Sequence, residues 1–228
     1  MAINSTTLTR TAGVAAVMAG LIFIGVQINH PHVDVTTITT TEMVVRMSLK
    51  LLMAALALVG ITGMYLRQVK QTGVLGLVGY GVFAAAYLLI FATTFVPAFV
   101  LPSLATTDPT YVNDYSAAAT GGTASGDIGL MSTVLSVQGL AYLAGGLIFG
   151  VALFRARILA RWAAVLLAVG GLAGAALSMM PDAFYRFLAF PNAIALIALG
   201  YSLWRSARTL PHTTKSAAPR EASPAGVE

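Results

Sequence analysis

The chain contains no cysteine among its 228 residues. This excludes a disulfide framework, thiol chemistry and thiolate-held zinc or iron–sulfur centres. Charge is scarce too: Asp, Glu, Lys and Arg make up 9% of the chain, against about a quarter in a soluble domain. There are three histidines, His30, His32 and His212. None lies deep in an apolar run, which argues against a bis-histidine membrane haem. A phosphate-binding Gly-rich loop is missing, as is an Asp-rich pyrophosphate motif. Nor does the last apolar run carry the lysine a retinal protein needs. Thr123-Ala-Ser-Gly126 lacks the leading Gly of an intramembrane serine protease motif and lies in a polar segment.

Apolar residues are abundant, at 57% of the chain with mean hydropathy +0.83. Six apolar runs fall at about 11–29, 42–66, 73–101, 128–154, 158–180 and 186–205. Each meets or approaches the roughly 20 residues that a bilayer requires. The expected fold is all-α: an integral membrane bundle of six transmembrane helices over residues 1–208. A disordered cytoplasmic tail, rich in Ala, Pro and Ser, is expected over 209–228. Gln27-Ile-Asn29-His30-Pro31-His32 follows the first run where a signal peptide would place small residues, so this run reads as a retained span.

The basic residues set the orientation. With the N-terminus inside, Arg10, Arg67, Lys70, Arg155, Arg157, Arg161, Arg205, Arg208, Lys215 and Arg220 are cytoplasmic, ten of the 13 Lys and Arg. Six of the eight acids fall outside. This positive-inside asymmetry predicts a multi-pass protein of the plasma membrane with both termini cytoplasmic. It also accounts for the net charge of +5. No basic patch is interleaved with aromatics, so nucleic acid is not an expected partner. The lipid bilayer is, together with a hydrophobic small molecule; the sequence calls for no cofactor and no metal.

Short connections at 67–72 and 155–159 predict antiparallel neighbours. The long segment from Pro102 to Asp127 is expected to be functional or disordered and to cover part of the outer mouth. Pro97 predicts a kink in the third span. Gly146 with Gly150, and Gly170 with Gly174, have the spacing that lets helices approach closely, within the chain or in an oligomer.

The most informative pattern is Glu42, Arg46 and Lys50, spaced four apart on one helix face. Lys50 lies about 12 Å deeper than Glu42 at 1.5 Å per residue. Ionisable groups in a spanning helix mark candidate functional sites. The stripe reads either as an interfacial Glu42–Arg46 pair with a snorkelling Lys50, or as a headgroup or proton-transfer cleft. At the exit of the first span stand Gln27, Asn29, His30, His32 and Asp34, where interfacial hydrogen bonding is expected ahead of metal binding. Between the last two spans stand Asp182 and Arg186, four apart. Gln138 is a polar group inside the fourth span that needs a partner.

Arg10-Thr-Ala-Gly-Val-Ala-Ala-Val-Met-Ala-Gly20-Leu-Ile-Phe with Gln27-Ile-Asn-His30-Pro31, Phe95-Val-Pro-Ala-Phe-Val-Leu-Pro102 and Leu-Ala-Gly145-Gly146-Leu-Ile-Phe-Gly150 resemble small uncharacterised polytopic membrane proteins of high-GC Gram-positive bacteria. That resemblance implies no activity. In size, hydrophobicity and the placement of Glu42 and Asp182, the chain more loosely resembles cofactor-free membrane-bound terpene cyclases, which protonate an alkene or epoxide with a carboxylic acid. The expected function is a polar cleft at the outer mouth that handles an amphipathic, lipid-like or isoprenoid substrate. As an enzyme it leans to acid-initiated terpene cyclisation, with Glu42 or Asp182 as proton donor. Arg46, Lys50, Arg186, Gln27 and Gln138 would bind the substrate, and Tyr87, Phe91 and Phe95 would stabilise cationic intermediates. The alternatives are a non-enzymatic carrier of a small solute or lipid, and a membrane subunit of a larger complex.

Overall fold

The computed structural model describes residues 4–177 and 189–207. Among these, every regular element is a helix, with no strand. The helices are α1 (Ser5–Gln27), α2 (Thr41–Arg67), α3 (Val69–Phe95), α4 (Pro109–Ala119), α5 (Met131–Ala156), α6 (Arg161–Leu177) and α7 (Ala189–Ser206). α3 runs on through a π-helical turn (Val96–Val100) and a last α-turn (Leu101–Leu104).

Four helices are long and apolar enough to cross a membrane: Ser5–Gln27, Thr41–Arg67, Val69–Leu104 and Met131–Ala156. α6 and α7 are shorter over their described residues. Leu52, Val59, Leu77, Leu88, Leu140 and Val165 all face outward and are exposed. That much apolar surface suits lipid, not water. The 209–228 tail lies outside the described residues.

Local signals set the helix ends. Asn4 Oδ1 accepts from the Thr7 N–H at 2.8 Å, and Thr40 Oγ1 from the Met43 N–H at 3.3 Å; both are N-caps. Gly73 takes φ 56° and ψ −148°, a conformation only glycine adopts readily, so the straight part of α3 begins where the apolar run does. The segment expected to be functional or disordered contains α4, capped by Asp108, whose Oδ1 accepts from the Tyr111 N–H.

Six helices form a ring in chain order. α1 packs on α2, α2 on α3, α3 on α5, α5 on α6, α6 on α7, and α7 closes on α1. Small residues permit the crossings: a Cβ on Gly13 would stand 2.7 Å from the Gly200 carbonyl oxygen. Phe83, Phe149, Leu167 and Leu199 are fully buried in the main core. A second, smaller core joins Ile38, Met43, Leu101 and Val112 at the end of the bundle where α1 stops and α2 starts. This is the mouth end, and α4 is seated on it. Every described carboxylate lies toward this end, and Arg10, Arg67, Lys70, Arg155, Arg157, Arg161 and Arg205 lie at the opposite, basic end.

Candidate functional site

The Glu42–Arg46–Lys50 stripe divides. Arg46 Nη2 stands 2.8 Å from Glu42 Oε1, and Arg46 Nε donates to the same oxygen at 2.9 Å. Arg46 Nη1 donates to the Val26 and Ile28 carbonyls at 3.2 and 3.0 Å. Those carbonyls end α1 and lack an intrahelical donor. Arg46 therefore closes α1, where a cation also suits the negative end of the helix dipole. The Glu42 side chain is 60% exposed, and neither Glu42 nor Arg46 lines the cavity onto which Lys50 opens.

Lys50 turns inward. Its Nζ stands 2.9 Å from His30 Nε2. His30 is buried, and its Nδ1 stands 2.7 Å from the Pro31 carbonyl oxygen. A carbonyl only accepts, so Nδ1 carries the proton and Nε2 is the acceptor for the Lys50 ammonium. Asn29 makes this geometry available. It takes φ 50° just past the end of α1, the left-handed position Asn tolerates after a helix, and this swings His30 back into the bundle.

His30 and Lys50 open onto a cavity of about 400 Å³ between α1, α2, α3, α4 and α5, within the size range of small-molecule sites. Its apolar wall includes Phe23, Met47, Met53, Ile90 and Leu135; Gln27, His32 and Thr120 add polar groups. Among the described residues no carboxylate lines it.

Pro97 shapes one side of the cavity. Proline has no N–H to donate to the carbonyl four residues back, which is that of Thr93. In its place the Tyr115 hydroxyl, from α4, donates to Thr93 O at 2.6 Å. The Thr93 hydroxyl donates across to Gln138 Oε1 on α5 at 2.5 Å. The sequence-predicted kink is thus a π-helical turn, and α4 roofs the cavity through the carbonyl that the proline releases.

Of the residues singled out from the sequence, Gln27, Lys50, Tyr87 and Gln138 line the cavity. Phe91 and Phe95 do not. They are 42% and 47% exposed, and Phe95 packs against Phe99 on the outside, ring centroids 4.9 Å apart. Steps of four residues advance about 40° around a helix, so Tyr87, Phe91 and Phe95 walk from the interior to the lipid-facing surface. Asp182 and Arg186 lie outside the described residues. Gly150 is filled by a neighbour from its own chain: a Cβ there would stand 2.7 Å from Ala164 O. Gly146 faces Leu167 and Gly170 faces Asn192, both also within the chain; the surroundings of Gly174 lie outside the described residues.

His32 is exposed, and Asp34 is occupied with Thr36 and Thr37. The Thr36 hydroxyl and the Thr37 N–H hold the Asp34 carboxyl down at about 2. Backbone and hydroxyl donors of Ser125, with the Gly126 N–H, lower the Asp114 carboxyl and stitch the α4–α5 connection to α4.

Sequence reasoning missed His30 as the partner of Lys50, and also Thr93, Tyr115 and Tyr142. The available signals were Asn29 before His30, Thr93 four residues before Pro97, and Tyr142 four after Gln138. Comparison with protein-family models, with curated proteins and with solved structures finds no match.

Proposed function

We propose that this is a multi-pass plasma-membrane protein whose mouth-end cavity binds an amphipathic, lipid-like molecule. The polar head sits at Lys50 and His30, and the apolar body lies among Phe23, Met47, Met53, Ile90 and Leu135. One observation carries this reading: a lysine ammonium, oriented by a buried histidine, on the wall of a cavity that is otherwise mostly apolar. An ionisable group at membrane depth is costly to keep and is a functional hypothesis by default.

In this reading all six helices of the ring span the bilayer, and both termini are cytoplasmic. The separation of the basic end from the carboxylate-bearing end supports that orientation. Single cysteines at Ser125 and Ser216 test it. An impermeant thiol reagent applied to whole cells should label the first and spare the second; the reverse pattern sinks the orientation.

For the ligand, the decisive comparison is Lys50→Met against wild type in nanodiscs. Binding of a single-chain amphipath with an anionic head should fall at least tenfold while helicity is kept. Equal binding by folded Lys50→Met rejects the site.

A second reading, acid-initiated isoprenoid cyclisation, draws support from the rings of Phe23, Tyr87, Tyr115 and Tyr142 on the lining, which suit a cationic intermediate. Glu42 is spoken for by Arg46, so the carboxyl donor in this reading is Asp182. Metal-free turnover of an isoprenoid epoxide by wild type, abolished in Asp182→Asn, supports cyclisation. Binding without turnover favours a carrier, and a stoichiometric co-purifying protein favours a complex subunit.

A further inference from the structure

Among the described residues, three buried oxygens behind the inner end of the cavity have no hydrogen-bond partner: the Tyr87 and Tyr142 hydroxyls and Asn192 Oδ1. Tyr87 is 1% exposed and Asn192 4%. Tyr142 lies beside both, its ring 5.7 Å from that of Tyr87 at a near-perpendicular angle. The groups are close, yet none reaches another with hydrogen-bond geometry. Gly170 on α6 gives Asn192 its room, since a Cβ there would stand 3.0 Å from Asn192 Cγ. Buried polar groups are nearly always paired, and a bare one in a lipid-embedded interior is costly. Three together, two of them on residues that line the cavity and the third just behind, need an explanation.

Their position gives one. Thr93 and Gln138 are bonded across the cavity wall. Tyr87 lies six residues before Thr93 on α3, and Tyr142 four after Gln138 on the antiparallel α5. The two rings are thus about 9 and 6 Å deeper, at 1.5 Å per residue. Both line the cavity, and Tyr142 is only half-buried, so its ring is the part that can turn toward an occupant.

We infer that Tyr87, Tyr142 and Asn192 form a second polar subsite that receives a hydroxyl group carried on the apolar body of the ligand, remote from its head. The choice of a hydroxyl follows from donor and acceptor counts. Each tyrosine has one O–H to donate, and Asn192 Oδ1 only accepts. A ligand hydroxyl accepts from both tyrosines and donates to Asn192, satisfying all three at once. A ligand carbonyl satisfies the tyrosines and leaves Asn192 bare. A plain hydrocarbon end satisfies none. This rests on the amphipath reading of the cavity and narrows it to molecules with oxygen functions at two separated positions.

The test uses ω-hydroxyalkanoic acids of eight to twelve carbons against the unsubstituted acids, and ω-hydroxyalkyl phosphates against alkyl phosphates. Binding is measured to wild type, Tyr87→Phe, Tyr142→Phe and Lys50→Met in nanodiscs. Comparing proteins cancels partitioning into nanodisc lipid, and circular dichroism confirms that each is folded. In wild type one chain length should bind about five- to tenfold tighter with its ω-hydroxyl, the equivalent of one net hydrogen bond. Either tyrosine variant should abolish that gain, so that it binds the ω-hydroxyl and unsubstituted forms of that chain length equally.

A gain that survives both tyrosine variants overturns the subsite. So does the absence of any gain where Lys50-dependent binding is present, the result expected of a subsite already filled by water. A gain that ignores Lys50→Met keeps the subsite and removes the headgroup reading. Failure of every probe to bind overturns both.

Discussion

Tyr115→Phe removes a single oxygen and tests how the roof of the cavity is held. Pro97 cannot donate to Thr93 O, and that carbonyl accepts from the Val96 N–H and from the Tyr115 hydroxyl at 2.6 Å. The phenyl ring would stay in the small core with Ile38, Met43, Leu101 and Val112. The loss is one buried hydrogen bond to a partly satisfied carbonyl, about 1–2 kcal/mol. It falls on the attachment of α4 and not on the ring of six helices. Local opening of α4 should become about five- to thirtyfold more frequent, the factor that corresponds to that energy. Hydrogen exchange of the 109–119 amides reads this directly, with amides around Phe83 and Phe149 as the unaffected reference. Pro97→Ala restores a donor four residues after Thr93. In that background Tyr115→Phe should cost about 1 kcal/mol less, because the carbonyl has regained a partner. Unchanged α4 exchange in Tyr115→Phe, or an equal cost in both backgrounds, refutes the reasoning.

Other changes have expected outcomes of their own. Glu42→Gln should cost no more than about 1 kcal/mol, since the carboxylate is exposed, whereas Arg46→Met should cost about 1–3 kcal/mol because it also uncaps α1; a denaturation series in mixed micelles that ranks them the other way contradicts the cap. Asp34 titrates at about 2 in the folded chain against an ordinary 3.8, so its contribution to stability is present above about pH 4 and is lost as pH falls toward 2. Asp34→Asn should flatten that part of the stability–pH curve, and an unchanged curve rules the turn out as its source. Gly150→Leu drives a side chain into the α6 backbone at Ala164 and Ala168 and should destabilise the bundle by at least about 1–3 kcal/mol; wild-type thermal stability in that variant contradicts the close α5–α6 packing.

Element type was legible in the sequence, and the site less so. Long apolar runs identify helices because a 3.6-residue period is irrelevant when lipid surrounds the helix on its outer side and core on its inner side. The same uniformity hides which face is which. The aromatics of α3 are close in sequence, yet two four-residue steps turn about 80°, enough to place Tyr87 inside and Phe95 outside. Thr93, two residues from Phe95, lies on the interior face. Glycine spacing located close packing at Gly146 and Gly150 without saying against what; the answer, α6 of the same chain, required the ring order. α4 was hidden because Asp108-Pro109, its cap and first turn, reads equally well as a turn inside a polar loop.

The same rotation explains why one charged stripe divides between two surroundings. From Glu42 to Lys50 the helix advances eight residues, about 80° beyond two full turns. Glu42 therefore stands on the exposed flank of α2, Arg46 at the seam with α1, and Lys50 inside. What each cation does is then set by the chain that passes it. The last turn of α1 presents bare carbonyls to Arg46, which satisfies them as a guanidinium fork can. Two residues further on, Asn29 reverses the backbone and presents His30, and its Nδ1–H bond to the Pro31 carbonyl oxygen leaves only Nε2 to meet Lys50. Arg46 and Lys50 are one turn apart, yet the first is used up in joining two helices and the second faces the cavity. A search for function along this stripe is therefore best aimed at Lys50, and at His30, which the spacing of the stripe does not reveal.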